Sequence, residues 1–448
     1  MAKFIFSLKK GLLIAFTLGL SAFNFTTVNA QQVISLQKAI DLALANNLSV
    51  KQSQITTALA NEDYKQAKYN LLPSLSANPQ GGYYFGKTQI AGALAYASST
   101  LNINGNLNAS LTLFQGGQLR NQILANKLVL DADKTSTAKA KNDLLLNVVT
   151  QYLIILTDQD LVTAAQQQID LAKITLDRSQ KNFDQGNATR ADLAQAQAQV
   201  STAEFNLTTA QNQVDLAVIV LKQFMEMDPT TQISVEKPDI SKLTDVKTVY
   251  DANEVIKTAF GINPDIQLAE IQQQGYAQLI KVAQGGYYPI LSLYGGAGSS
   301  YSNQIPSTFY NQFFNVNFNQ YFGLNLQIPI FNKFTTRTTV RKAKLNYEYA
   351  QLTTQLAKNT LSKTIIQALA DLQAAVKNYQ SASHTYESTK EALNVTKQRY
   401  DAGFVNTLDY NTAVTNYNKA QNDMINARYS MVFRSKVIDY YLGNKIEL

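Results

Sequence analysis

The residues of this chain that could do chemistry are few and acidic. Asp192 and Asp409 each stand six residues after a glycine, Gly186 and Gly403, and lie 217 residues apart. At that spacing the glycine makes a turn and the aspartate falls in the first turn of the helix that follows. A carboxylate there answers the positive end of the helix dipole. Covalent chemistry has little to work with. The one histidine, His384, sits in a polar helical run and reads as a solvated surface residue. With no cysteine there is no disulfide and no thiolate metal site. The sequence holds no phosphate loop, nucleophile constellation or metal cluster. No catalytic residue, metal or cofactor is therefore expected, and the chain is not expected to be an enzyme.

Both aspartates are positioned by apolar heptads. After Asp192 come Leu193, Ala196, Val200, Ala203, Leu207, Ala210, Val214, Ala217, Leu221 and Phe224. Alternating gaps of three and four are the spacing of a coiled-coil seam. The seam returns at an offset of 217 as Ala413, Tyr417, Ala420, Met424, Ala427, Met431, Arg434, Ile438 and Tyr441, with Arg434 alone breaking the pattern. Other landmarks repeat at 216 or 217, among them Pro73 with Pro289 and Leu113-Phe114 with Ile330-Phe331. The chain thus reads as residues 31–228 and 250–448, two copies of one unit, joined by a linker at 229–249 that contains Pro229 and Pro238.

Residues 1–30 read as a signal peptide. Lys3, Lys9 and Lys10 precede a short apolar core, and Val28-Asn29-Ala30 suits cleavage before Gln31. Without those three lysines, 36 basic residues face 32 acids, with no basic run, so nucleic-acid binding is not expected. No later stretch reaches the roughly 18 apolar residues of a membrane-spanning helix.

Each unit runs helix, two strands, very long helix, glycine turn and seam helix. The first helix is expected over Ser35–Asn70 and its counterpart from Asp251, with Glu254 three residues on. Between Asn102 and Leu113 even positions carry Asn, Ser and Thr and odd ones are mostly apolar. Phe314 to Ile328 alternates in the same way. A soluble sandwich also alternates, but three features favour a membrane barrel. The segments are about 11 residues long. Their polar faces are amide-rich, and aromatics gather at their ends. Four strands cannot close a barrel, for which about eight is the practical minimum, so the barrel must be shared between chains. Leu119–Phe183 and Arg337–Tyr400 lack Pro and Gly. Each would span roughly 100 Å as a helix, in a single layer wet on its remaining surface.

These features resemble the TolC-type outer-membrane efflux proteins. The resemblance rests on "LQKAIDLALANN", the strand starts "PSLSA" and "PILSLYGG", "LTLFQGGQLRNQI", and the tips "FDQGNATRADLAQAQAQV" and "RYDAGFVNTLDYNTAV". It covers essentially all of the chain after the signal peptide. It implies a mostly α fold with membrane β: a homotrimer with a shared twelve-stranded barrel in outer-membrane lipid and a long antiparallel coiled-coil helical tunnel in the periplasm. It implies an exit duct of a tripartite efflux or type I secretion system, docked to a periplasmic adaptor protein and an inner-membrane transporter. Three chains would bring Asp192 and Asp409 to a cation-favouring aperture ring; otherwise the two aspartates only steady their helices. The resemblance gives Tyr400 a gate-lock role, its first-copy counterpart being Phe183. Val405 and Thr412 stand where the family usually has an arginine and a second aspartate; Arg190 is a candidate substitute cation. The competing reading is a structural or adhesive coiled-coil protein of the cell surface.

Overall fold

The computed structural model describes residues 32–86, 88–90, 93–95, 99–238 and 247–446. The expected signal peptide lies outside them. Two compact units emerge, and neither follows the chain continuously. Among the described residues, the first gathers 32–43 and 148–238, and the second gathers those of 44–147 and 247–446.

In the first unit, strand β1 (Gln32–Ile34) pairs in parallel with β6 (Ile233–Val235). β6 is a strand inside the expected linker, and its pairing is held by one buried tyrosine. Tyr152 donates to Ile34 O at 3.1 Å and Glu236 O at 2.7 Å. Burial pushes its phenol well above the ordinary tyrosine range. Lys237 pairs with the buried Asp160 in the same place. The unit's helical part is most of α1 (Leu36–Asn46), the second half of α3 (Gln118–Asp184) and all of α4 (Arg190–Phe224). Val148, Tyr152, Leu156, Ala165 and Ile169 are buried and form a narrow apolar stripe along α3. Every seventh seam alanine of α4 is buried: Ala196, Ala203, Ala210 and Ala217. Small side chains there allow the close approach in which Gln151 donates to Ala217 O at 2.9 Å.

In the second unit a single sheet orders its strands β2 (Ser74–Tyr84), β5 (Thr100–Gln115), β7 (Ile290–Ser302) and β8 (Asn319–Gln327), all antiparallel. A strand from each half of the chain forms the middle pair. A small hairpin, β3 (Thr88–Ile90) with β4 (Ala93–Ala95), sits in the first connection. Each strand continues into a helix: α2 (Leu48–Tyr69) enters β2, α3 leaves β5, α6 (Pro264–Gly285) enters β7 and α7 (Thr335–Asp401) leaves β8. The remaining helices of this unit are α5 (Ala252–Ile262) and α8 (Thr407–Leu442). α3 and α7 each have 67 residues and α2 and α6 each have 22. The core of this unit joins Val255, Ala259 and Ile266 to Leu361, Ile365, Leu372 and Ile438. Arg434, which breaks the seam, is paired with Asp371 at 3.1 Å.

Two expected elements differ. The first helix is not continuous over Ser35–Asn70. It breaks at Asn47, whose side chain accepts from Ser49 N and Val50 N and so caps a second helix. Phe314–Val316 is not strand but part of a π-helical turn, Asn311–Val316. The cause is the buried Gln312. Its amide donates to the carbonyls of Ser302, Ile305 and Ser307 and its oxygen accepts from Ser302 N, which ties the connection into a compact knot. Phe309 and Phe313 stack at 5.1 Å within it.

Candidate functional site

The two glycine turns have the same backbone. Gly186 has φ +78° and Gly403 φ +79°, a conformation in which an L side chain is strained, and nothing lies within 4 Å of a Cβ placed on either. Each turn closes a helix the same way: Asn187 N bonds to Asn182 O, and Phe404 N to Arg399 O, both at 2.8 Å.

The capping chemistry differs. In the first unit Thr189 is the N-cap of α4, and Asp192 completes a reciprocal capping box. Thr189 donates to the Asp192 carboxylate through its backbone N–H at 3.0 Å and its hydroxyl at 2.7 Å; Asp192 N returns a bond to Thr189 Oγ1 at 3.2 Å. Those donors hold the Asp192 carboxyl below the usual aspartate value. Arg190 opens the same helix, exposed, with no ion pair among the described residues.

In the second unit the cap is Asn406, whose side-chain oxygen accepts from Asp409 N at 2.8 Å. The Asp409 carboxylate makes no hydrogen bond or ion pair among the described residues and is exposed. Thr412, where a second aspartate was absent, spends its hydroxyl on Leu408 O at 2.8 Å. Tyr400 lies flat against Tyr410, ring centroids 4.7 Å apart and planes 8° apart. Asp192 and Arg190 therefore belong to one unit, and Asp409 and Tyr400 to the other.

The sheet is the other functional surface, and its register sorts the faces. One face carries Leu75, Leu107, Leu111, Leu293, Phe322, Leu324 and Leu326; the opposite face carries Asn78, Asn104, Asn106, Asn108, Ser110, Ser300, Asn319 and Asn325. No strand of the sheet contains Asp, Glu, Lys or Arg. The amide face also holds a pair of aromatics that sequence reading passed over. Tyr294 and Tyr321 lie diagonally across β7 and β8, each over a glycine of the partner strand, Gly323 and Gly296. Tyr321 reaches on to Asn108 Oδ1 at 2.6 Å. The signal was a Tyr-x-Gly and a Tyr-x-Gly in register, legible only once the strands are paired. Strands β2 and β8 are the sheet's edges, and among the described residues neither outer edge is paired. No helix of the described residues is long and apolar enough to cross a membrane.

The family model described as "Outer membrane efflux protein" matches residues 39–225 and 255–444. Outer membrane protein TolC of Salmonella enteritidis is 24% identical over 434 residues, covering 96% of this chain and 86% of that protein. Toxin and drug export protein A of Aggregatibacter actinomycetemcomitans is 24% identical over 408 residues, covering 89% and 83%. Among solved structures, CusC superposes with a TM-score of 0.80 at 18% identity, over 93% of this chain and 94% of that one.

Proposed function

The chain belongs to the outer membrane efflux protein family, and from that premise we propose that three copies form the exit duct of an efflux or secretion assembly. It is an outer-membrane efflux channel. The observation that carries the trimer is the open four-stranded sheet. In hydrocarbon its two bare edges would leave backbone groups unsatisfied at several kcal/mol each. Joining β8 of one copy to β2 of the next removes both edges, and three copies supply twelve strands. The helices attached to those edge strands support the same joint. On α7, after β8, Leu345, Tyr349, Leu352 and Leu356 are exposed along one face; on α2, before β2, so are Leu48, Ile55 and Leu59. Such stripes are the seams that neighbouring helices cover in a coiled-coil wall.

In this trimer the amide face lines the lumen and the leucine face meets lipid. The helices continue as a periplasmic tunnel, and the two tips of each copy form its entrance. Its partners in that assembly are a periplasmic adaptor and an inner-membrane transporter, a reading that fits a relative named as a toxin and drug export protein. The duct does no chemistry of its own. Asp409, with an uncommitted carboxylate, and Asp192 line the aperture and favour cations; Tyr400 and Arg190 belong to its lock.

Planar-bilayer recording on the purified chain tests the reading. Cation-preferring channels of uniform conductance are expected. A protein that forms no channels would be a surface coiled coil instead. Unchanged ion preference in the Asp192→Asn/Asp409→Asn double variant would reduce both aspartates to helix capping.

A further inference from the structure

Charge is distributed unevenly along the second unit. The sheet strands are uncharged, yet the helix ends attached to them are basic. Take the seven residues of α2, α3, α6 and α7 nearest the sheet, with their connections. They hold Lys65 and Lys68, Arg120, Lys281, and Lys333, Arg337 and Arg341, against the single acid Asp63. Lys65 is paired with Glu62. Arg120, Lys281, Lys333, Arg337 and Arg341 are exposed and make no ion pair among the described residues.

Helix stability does not account for this. Arg120 and Arg337 are each the third residue of a 67-residue helix, at the positive end of its dipole, where an acid is favoured and a cation opposed. Neither first turn contains an acid. The connections between the strands and these helix ends carry exposed aromatics: Tyr69, Tyr287, Tyr288, Phe331 and Phe334. Along the chain from the sheet into its helices, the exposed side chains are therefore aliphatic, then aromatic, then cationic. That is the sequence of hydrocarbon, interface and anionic headgroup.

We infer that this basic belt binds the headgroups of anionic phospholipids in the periplasmic leaflet. The inference rests on the outer-membrane channel reading. Arg337 and Arg341 lie one turn apart on α7, soon after Phe331 and Phe334 in the chain, and form its strongest point. Lys68 lies over the Tyr64 ring at 4.0 Å, its ammonium still at the surface. The belt holds the trimer at a fixed depth by attraction that salt weakens.

The test reconstitutes the full chain into vesicles of equal parts phosphatidylglycerol and phosphatidylcholine. Lipids retained by the extracted trimer are then counted by native mass spectrometry. The unaltered chain should retain phosphatidylglycerol in preference, less so at high salt. Arg337→Gln/Arg341→Gln should cut that preference roughly fivefold per cation removed, while channels still form in pure phosphatidylcholine. Equal retention of both lipids by the unaltered chain, with channels intact, overturns the belt and leaves the channel reading standing. A variant whose trimer weakens equally in neutral and anionic bilayers, or fails to assemble, also overturns it, because the arginines then pair with a neighbouring copy, through Glu62 or Asp63. No channels from the unaltered chain would sink the channel reading itself.

Discussion

The tips at Gly186 and Gly403 share a turn and a φ within one degree, yet they use their aspartates differently. At the first tip Asp192 is consumed by the capping box with Thr189. At the second, Asn406 caps the helix with a neutral side chain and leaves the Asp409 carboxylate to solvent. The repeat kept the backbone and changed the bonding: one carboxylate is tied into its helix start, the other is not. Equal spacing in the sequence therefore does not mean equal bonding.

The largest effect expected from this contrast is local. Thr189→Ala with Asp192→Asn removes the whole box and should loosen the first turn of α4 by about 2 kcal/mol. Asp409→Asn keeps the Asn406 cap and loses only a dipole interaction, about 0.5 kcal/mol. Hydrogen exchange at the two helix starts measures both. Similar losses at the two would mean that Asp409 caps after all. The glycines supply the control. Gly186→Ala and Gly403→Ala should each cost about 1 kcal/mol, and equally, since both meet open space at the same φ. Unequal costs would show that the turns are not equivalent.

Acidification separates the tips next. The Asp192 carboxyl is held low by its bonds from Thr189. Its stabilisation is fully present above the unfolded aspartate value of 3.8 and is lost as pH falls through the lower folded value. Asn406 does not titrate, so the second tip keeps its cap. Hydrogen exchange, corrected for its intrinsic pH dependence, should show α4 opening first under acid. Simultaneous loosening of both helix starts would contradict that difference.

Much of this was legible in the residues because it is periodic. The seam alanines, the paired glycines and the alternation of Asn102–Thr112 each state a geometry at short range. The misses were places where one polar side chain overrules a pattern. The apolar period runs straight through Asn47, and only its bonds to Ser49 and Val50 reveal a break. Phe314 and Val316 alternate like a strand, but Gln312 buries itself under the loop carbonyls and winds them into a turn. Thr189-x-x-Asp192 is a capping-box spacing in plain view. Its hydrogen bonds, more than its charge, set what this aspartate does for its helix. The Tyr294–Tyr321 pair needed the strand register, which no single strand contains.

The smallest expected effect on stability is also the sharpest test of the second tip. Tyr400 lies face to face with Tyr410, so its ring is already employed in holding the end of α7 to the start of α8. The first tip has Phe183 at the matching position, 37% exposed. A phenyl ring suffices for packing, so any advantage of tyrosine lies in its hydroxyl. Tyr400→Phe should thus keep the stack, while Tyr400→Ala should loosen the tip by about 1 kcal/mol. If the hydroxyl closes the entrance, Tyr400→Phe alone raises single-channel conductance or leak. Conductance that rises only in Tyr400→Ala would mean that the ring stack, and not a hydrogen bond, keeps the tip shut.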